Sequence, residues 1–330
     1  MDIVAIVNAH ARRGSEKVVR SLQDAFPKAT VLRTESTEHA RRFAEQLCKE
    51  PPDLVLAAGG DGTALLIVNA MRASLRKAGG AGRAPLFGML PLGTGNAWAH
   101  TTGAPRWDEC VERLCEALRR ESPLPKRRFD LVEVEGMLAH FVGTGWDAEM
   151  IDDFYRQQQG FSVLTPSARK GVLGYLQGMV LYTIPRHVLA KTHAEVELAN
   201  TGDDTYTVDD EGRAVRMDNK GPGAVLYRGF QSVCAAGTTP EWGYHFRAFP
   251  FVGLLPRRMC VRIYAASAIE GTFRSGALWR GVHPMPKMHT WLLTRCKFSF
   301  TQAVPFPRSV TFKLCPTSPR PGVTLASRDA

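Results

Sequence analysis

The chain has 330 residues, 44% of them hydrophobic and 22% charged, with a formal net charge of +10. That length and apolar content exclude a disordered chain and leave room for two domains with cores of their own. Its seven cysteines (Cys48, Cys110, Cys115, Cys234, Cys260, Cys296 and Cys315) form no CxxC pair and have no histidine at ligand spacing, which excludes a zinc ribbon and suits reduced thiols in the cytosol.

The N-terminal MDIVAIVNAHARRG opens directly on a strand, without the charged and apolar regions of a signal peptide. The longest apolar run, GVLGYLQGMVLYTIP (171–185), is too short and too interrupted by glycine to span a bilayer. A cytoplasmic protein, soluble or peripheral to the membrane, is expected. The charge is unevenly placed: from residue 242 onward thirteen Lys/Arg face two acids, Glu270 and Asp329, a net +11 that leaves −1 for residues 1–241. Such a region suits nucleic acid, an anionic membrane surface or a phosphorylated ligand, or is an ordinary solvated surface. No RNP, zinc-finger or helix-turn-helix signature supports nucleic acid, so the membrane or phosphate is the functional reading.

In chain order, DIVAIVN (2–8) reads as a buried strand, and Ser15 as the cap of a helix to about Phe26. TVLRT (30–34) is a second strand. Ala40, Phe43, Ala44 and Leu47 then recur at helical spacing. The next segment, DLVLAAGGDGT (53–63), is an apolar strand running into glycines and then a helix from Ala64 to about Lys77. One unit later LFGMLPLGTGN repeats the device: a strand Leu86–Leu90 followed by Gly93, Thr94, Gly95 and Asn96. Glycines there permit φ > 0 and leave amide N–H groups facing an anion, while the following helix adds the positive end of its dipole. Another helix carries Val111, Leu114, Cys115 and Leu118. Regular alternation of this kind predicts an α/β domain over residues 1–125, a parallel sheet with helices on both faces, and a ligand at the carboxyl ends of the strands.

After SPLPKRR (122–128) the texture turns to short strands. DLVEVEG–MLAHFVG predicts a hairpin with Glu135-Gly136 at its turn. Helices are expected at about 147–159 and 171–184, followed by β-like runs at THAEVELA, TYTVDD, GRAVRM, AVLYRGF, RRMCVRIYAA and TRCKFSFTQA. Residues 126–306 are therefore expected to form a β-sandwich domain. Residues 307–330, rich in Pro, Ser, Thr and Arg, are expected to be a disordered tail.

GGDGT (59–63), PLGTGN (91–96), FDL (129–131) and FVGTGWDAEM (141–150) together resemble the diacylglycerol kinase catalytic-domain family, which includes bacterial lipid kinases and sphingosine kinases. The resemblance covers roughly residues 1–185 in order. IVNAHARRGS is similar to the family's opening, with Ala9 where proline is usual. It implies transfer of the ATP γ-phosphoryl group to a lipid hydroxyl with Mg²⁺, by an α/β nucleotide domain followed by a β-sandwich. It further implies that Gly59, Gly60, Gly62, Thr63 and Gly93 cradle the nucleotide, with Asp61 as the catalytic residue near the γ-phosphate and its metal. Thr94 and Asn96 bind the nucleotide from the second turn, and Asn8 and Thr34 from the strand ends; for Asn8 and Thr34 a simple capping role stands beside this. Asp130, Asp147 and Glu241 correspond to an acceptor and metal network; Asp130 and Asp147 read equally as turn or cap residues.

The chain also departs from that pattern. The stretch TTPEWGYHFRAFPFVGLLPRRM (238–259) offers only Glu241 where the family carries Asp-Gly, and no acid lies between Glu270 and Asp329 where it carries Asp-Gly-Glu. The helix after GGDGT begins ALLIVN, without the usual glutamate. A general base must lie within reach of the proton it takes, and its identity is left open, as are the lipid and a homodimer. Two alternatives follow: a nucleotide- or lipid-binding relic with little turnover, and a kinase of the NAD-kinase type, which PLGTGN fits poorly. An acid-free tail also suits a frameshift after Phe306.

Overall fold

Ile3–Asn8 is five apolar residues ending in asparagine, and every apolar one is buried. Such a run suits the middle of a parallel sheet, where both faces are covered. The computed structural model describes residues 1–11, 15–79, 84–93, 95–127, 129–159, 164–169, 171–189, 195–300 and 309–315. Among them the chain divides into a first unit, Met1–Asp130, and a second, Leu131–Cys315.

The first unit runs β1 (Ile3–Asn8), α1 (Ser15–Ala25), β2 (Thr30–Thr34), α2 (Thr37–Leu47), β3 (Leu54–Gly59), α3 (Asp61–Lys77), β4 (Leu86–Pro91), α4 (Ala97–Thr102) and α5 (Trp107–Arg119). Its sheet has the order β2-β1-β3-β4, with every neighbouring pair parallel. Ile3, Ala5 and Val7, with Leu54, Leu56 and Ala58, pack against Val18 and Leu22 of α1 and against Trp107, Cys110 and Leu114 of α5. The alternate residues Val4, Ile6, Val55 and Ala57 are equally buried, as are Ala40 and Ala44 on α2 and Ala64, Ile67, Ala70 and Met71 on α3. Ser36 caps α2 by accepting from the His39 N–H at 3.1 Å. The order reverses between β1 and β3, and in open sheets the crevice at such a point takes the ligand.

The second unit runs β5 (Leu131–Val134), β6 (Met137–Ala139), β7 (Phe141–Gly145), α6 (Trp146–Gln159), α7 (Pro166–Arg169) and α8 (Val172–Gly178). A π-helical turn, Met179–Thr183, leads into α9 (Ile184–Leu189). Then come β8 (Glu195–Asn200), β9 (Tyr206–Val208), β10 (Ala214–Arg216), β11 (Val225–Phe230), β12 (Val233–Gly237) and β13 (Met259–Tyr264). The last elements are α10 (Ala268–Phe273), α11 (Ser275–Arg280), β14 (Met288–Leu293), β15 (Arg295–Phe300) and β16 (Ser309–Cys315). Two antiparallel sheets result, in the orders β10-β9-β14-β13-β12-β7 and β11-β8-β15-β16-β5-β6. Cys234, Val261 and Trp291 of the first meet Leu198, Phe298 and Phe312 of the second in one core, which makes the pair a sandwich. Glu135 and Gly136, both at positive φ, form the tight turn of the β5–β6 hairpin.

Three expectations are corrected. Helix α3 begins at Asp61, three residues before Ala64. Strands β12 and β14 were not foreseen. Within the segment expected to be disordered, Ser309–Cys315 is a strand paired on both sides, to β15 and β5, with Val310 and Phe312 buried. A sequence arising from a shifted frame has no reason to present alternating core residues in register, so the frameshift loses its support. The remainder of that tail lies outside the described residues.

Candidate functional site

Both glycine turns lie at the carboxyl edge of the parallel sheet, where Gly59 pairs with Pro91 and the Leu92 N–H donates to the Gly59 carbonyl at 2.9 Å. None of Gly59, Gly60, Gly62 or Gly93 has a positive φ. The glycines therefore do not serve left-handed backbone, contrary to the expectation; they serve close approach. A Cβ on Gly93 would lie 2.5 Å from Gly60 Cα, and one on Gly60 would lie 3.1 Å from Gly93 Cα, so the two turns touch backbone to backbone. A Cβ on Gly59 would lie 2.5 Å from the Thr63 side chain, which folds back under the first turn of α3. Gly62 is different: a Cβ there would meet nothing within 4 Å.

Helix α3 starts from Gly60 in extended backbone, and no side chain caps it. The Thr63 and Ala64 N–H groups donate to the Gly60 carbonyl at 3.0 and 3.1 Å, which leaves the amides of Asp61 and Gly62 at the positive end of a helix of 17 residues, beside the open space at Gly62. Such an arrangement is able to take an anion. The donor set fits a nucleotide's phosphates.

In the structure Asp61 is held by the backbone of the second turn's helix. Its two carboxylate oxygens accept from the Ala97 N–H at 2.9 Å and the Trp98 N–H at 3.0 Å, so the first residue of α3 caps α4. Asn96, which precedes α4, cannot do this, because it sits at φ 49° in left-handed backbone and its Nδ2 donates back to the Gly93 carbonyl at 2.8 Å. The Asn96 Oδ1 is buried with no hydrogen-bond partner among the described residues. An acid engaged by two amides suits locking the two turns together better than holding Mg²⁺ as a main ligand. A magnesium ion usually keeps several waters and takes substrate phosphates with one or two carboxylates; the phosphates at this edge would be its principal holders.

Asn8, at the end of β1, accepts from the His10 N–H at 2.9 Å and donates through Nδ2 to Thr63 Oγ1 at 3.0 Å. It clamps the exit of β1 to the first turn of α3 across the point where the strand order reverses. Thr34 is buried; its hydroxyl donates to the Val7 carbonyl at 3.4 Å, and its own carbonyl accepts from the Ala9 N–H at 2.9 Å. Beneath the second turn, Trp98 stacks between Phe87 and Phe129, with ring centroids 5.8 and 5.2 Å away.

The structure thus brings together Asn8, Gly59, Gly60, Asp61, Gly62, Thr63, Gly93 and Asn96. Thr94 lies outside the described residues, as does the side chain of Asp147. Asp130 is half-buried at the end of the first unit. Glu241 belongs to the second unit, in the loop after β12, where His245 Nδ1 lies 3.5 Å from its carboxylate and the Thr239 hydroxyl donates to its carbonyl at 3.0 Å. The sequence reading missed Asp61 as the cap of α4 and the Trp98 stack. Residue spacing carries no signal for a cap 36 positions away in the chain.

Residues 2–133 match the diacylglycerol kinase catalytic domain family, which bears out the resemblance drawn from the two glycine turns. Over 188 residues the chain is 27% identical to a diacylglycerol kinase of Bacillus subtilis, covering 55% of this chain and 52% of that protein. It is 34% identical over 104 residues to a probable lipid kinase (YegS-like) of Serratia proteamaculans, 31% of this chain and 32% of the relative. The chain therefore aligns with about half, and about a third, of the length of these curated relatives. Among solved structures, a diacylglycerol kinase from Bacillus anthracis superposes with a TM-score of 0.63 at 14% identity, over 99% of this chain and 97% of that one. A second, putative by its description and from the same organism, gives 0.62 at 16% identity, over 96% and 94%. At those identities the likeness is one of fold, and the fold expected from the sequence, a parallel α/β unit followed by antiparallel sheets, agrees with it.

Proposed function

We propose that the chain is an ATP-dependent lipid kinase that transfers the γ-phosphoryl group to the hydroxyl of a diacylglycerol- or sphingosine-like lipid. The observation that carries this reading is the pair of glycine turns in backbone contact beside an uncapped 17-residue helix. Phosphoryl transfer asks for positioning and charge neutralisation more than covalent participation. The first-turn amides of α3 hold phosphate oxygens, the space at Gly62 admits them, and Asp61 holds the second turn against the first. Bound with the nucleotide, Mg²⁺ would neutralise charge on the transferring phosphate. In the reaction the lipid oxygen bonds to the γ-phosphorus, the bond to the ADP oxygen breaks, and the lipid hydroxyl gives up its proton. The base that takes the proton is unassigned: β16, SVTFKLC, carries no acid.

That absence favours one second reading, a nucleotide- and lipid-binding protein of the same fold with little turnover. A γ-phosphate transfer assay with Mg²⁺, in mixed micelles of diacylglycerol, monoacylglycerol or sphingosine, separates the two. Labelled lipid product supports the kinase and names its acceptor. ATP binding without product in any micelle supports the binding protein. Failure to bind ATP refutes both. Acting on a lipid, the protein would work from the cytoplasmic face as a peripheral protein; no helix among the described residues is long and apolar enough to cross a membrane.

A further inference from the structure

The apolar run 171–185 has no task in the reaction proposed above. In the structure it forms α8, the π-helical turn and the start of α9, and its two faces are the wrong way round for a helix facing water. Gly174, Gly178 and Thr183 turn inward. A Cβ on Gly174 would lie 1.9 Å from the Arg169 carbonyl oxygen, one on Gly178 would lie 3.1 Å from the Asp153 backbone, and the Thr183 hydroxyl donates to Asp153 at 2.7 Å. Leu173, Leu176, Val180 and Leu181 turn outward, at 54, 42, 56 and 48% exposure. Their spacing of i, i+3, i+7 and i+8 is one stripe. Ile151 and Tyr155, one turn apart on the neighbouring α6, are exposed as well.

We propose that this stripe seats the second unit on a lipid bilayer, lying in the plane of the interface with its leucines and valine in the acyl boundary. The proposal rests on the reading that the acceptor is a lipid. Charge selects the occupant. Helix α9 packs against α10, which ends in Phe273, 87% exposed, followed by Arg274. Residues 242–315 carry ten Lys/Arg besides the buried Arg262, against Glu270 alone. Apolar side chains beside a cationic segment match an anionic surface, whereas a second copy would bring like charge against like.

Co-sedimentation with mixed phosphatidylcholine–phosphatidylglycerol vesicles tests this with the full chain. Changing Leu176→Gln, Val180→Gln and Leu181→Gln together should weaken partitioning by about tenfold or more while thermal unfolding is unchanged. A separate Val180→Trp variant should show blue-shifted emission from the introduced indole when vesicles are added, a reading that does not depend on loss. Undiminished partitioning of the triple variant overturns the proposal, and so does an indole that vesicles leave unmoved. It is equally overturned if the wild-type chain is a dimer that the triple variant breaks while vesicle binding persists. Neither measurement uses turnover, so vesicle binding through the stripe with no phosphate transfer refutes the kinase and leaves the docking surface standing.

Discussion

Replacing Gly62 by alanine should leave the first unit as stable as before, or more so, and still weaken nucleotide binding. Gly62 is the second residue of α3, has no positive φ, and a Cβ there meets nothing within 4 Å. Alanine in a helix is favoured over glycine by roughly 0.5–1 kcal/mol, and a gain near 1 kcal/mol raises the unfolding midpoint by about 2–4 °C. The space the methyl enters is the one phosphate oxygens need in order to reach the first-turn amides, so affinity for Mg-ATP should fall by about tenfold, or ~1.4 kcal/mol. Gly93→Ala is the counterpart. Its Cβ would lie 2.5 Å from Gly60 Cα and 2.8 Å from Asn96 Oδ1. A backbone atom cannot step aside, and the overpacking should cost about 1–3 kcal/mol. Thermal unfolding and calorimetric titration with Mg-ATP, run on both variants, read the two effects separately. Wild-type ATP affinity in Gly62→Ala would refute the phosphate cradle, and a wild-type midpoint in Gly93→Ala would refute the contact between the turns.

Asp61→Asn places an NH₂ against one of the two amides that the carboxylate now accepts from; the loss should be about 1.5–3 kcal/mol, seen as faster hydrogen exchange over residues 97–102, and unchanged exchange there excludes the cap. Asn8→Ala removes the bond to Thr63 and should lower stability by about 1 kcal/mol in urea unfolding; no loss means that the clamp contributes nothing. Glu149 lies 2.8 Å from His187 Nε2 and accepts from Arg186 at 2.9 Å; His187 and Arg186, against the opposing effect of burial, hold its carboxyl below the ordinary 4.5. A depressed carboxyl stabilises the fold above its unfolded value and loses that contribution as pH falls through the folded one. The protection of α6 and α9 amides against hydrogen exchange, taken relative to the intrinsic rate at each pH, should therefore fall as pH drops below about 4.5, and Glu149→Gln should remove that dependence; equal acid sensitivity in both proteins would assign it to other groups.

The strands read correctly from the chain are those whose residues state their own surroundings. β1 and β3 are continuous apolar runs because both their faces are covered, and β15 alternates Cys296, Phe298 and Phe300 with Lys297 and Ser299 because one face is not. β12 reads VCAAG, small residues with little β-branched bulk, and is a strand because β13 and β7 pair with it on either side. β14 buries Thr290, Trp291, Leu292 and Leu293 in succession, so no period of two marks it. β16 does alternate, with Val310 and Phe312 buried either side of the exposed Thr311, yet its proline- and serine-rich flanks hid the pattern. At the site, the glycines were visible and their reason was not. A glycine needed for φ > 0 and one needed for close approach are the same letter, and only the 2.5 Å that would separate a Cβ on Gly93 from Gly60 Cα tells them apart. Asp61 was singled out for its charge, but its partners are amides of the helix after the other glycine turn, and nothing in the residue order ties that helix to this carboxylate.

The position of β16 bears on how the protein is made. The last strand of the second unit inserts between β15 and β5, and β5 is that unit's first strand. Pairings so distant along the chain form slowly, because the loop must close before any contact rewards it. During synthesis the β5–β6 hairpin must therefore wait, with one edge unpaired, until residues 309–315 have left the ribosome. Among the described residues the first unit's sheet asks for no later strand: β2, β1, β3 and β4 can all pair once β4 has emerged. A nascent chain halted before Ser309 would carry a finished parallel sheet followed by a sandwich with an open seam, the kind of exposed edge that recruits chaperones or aggregates.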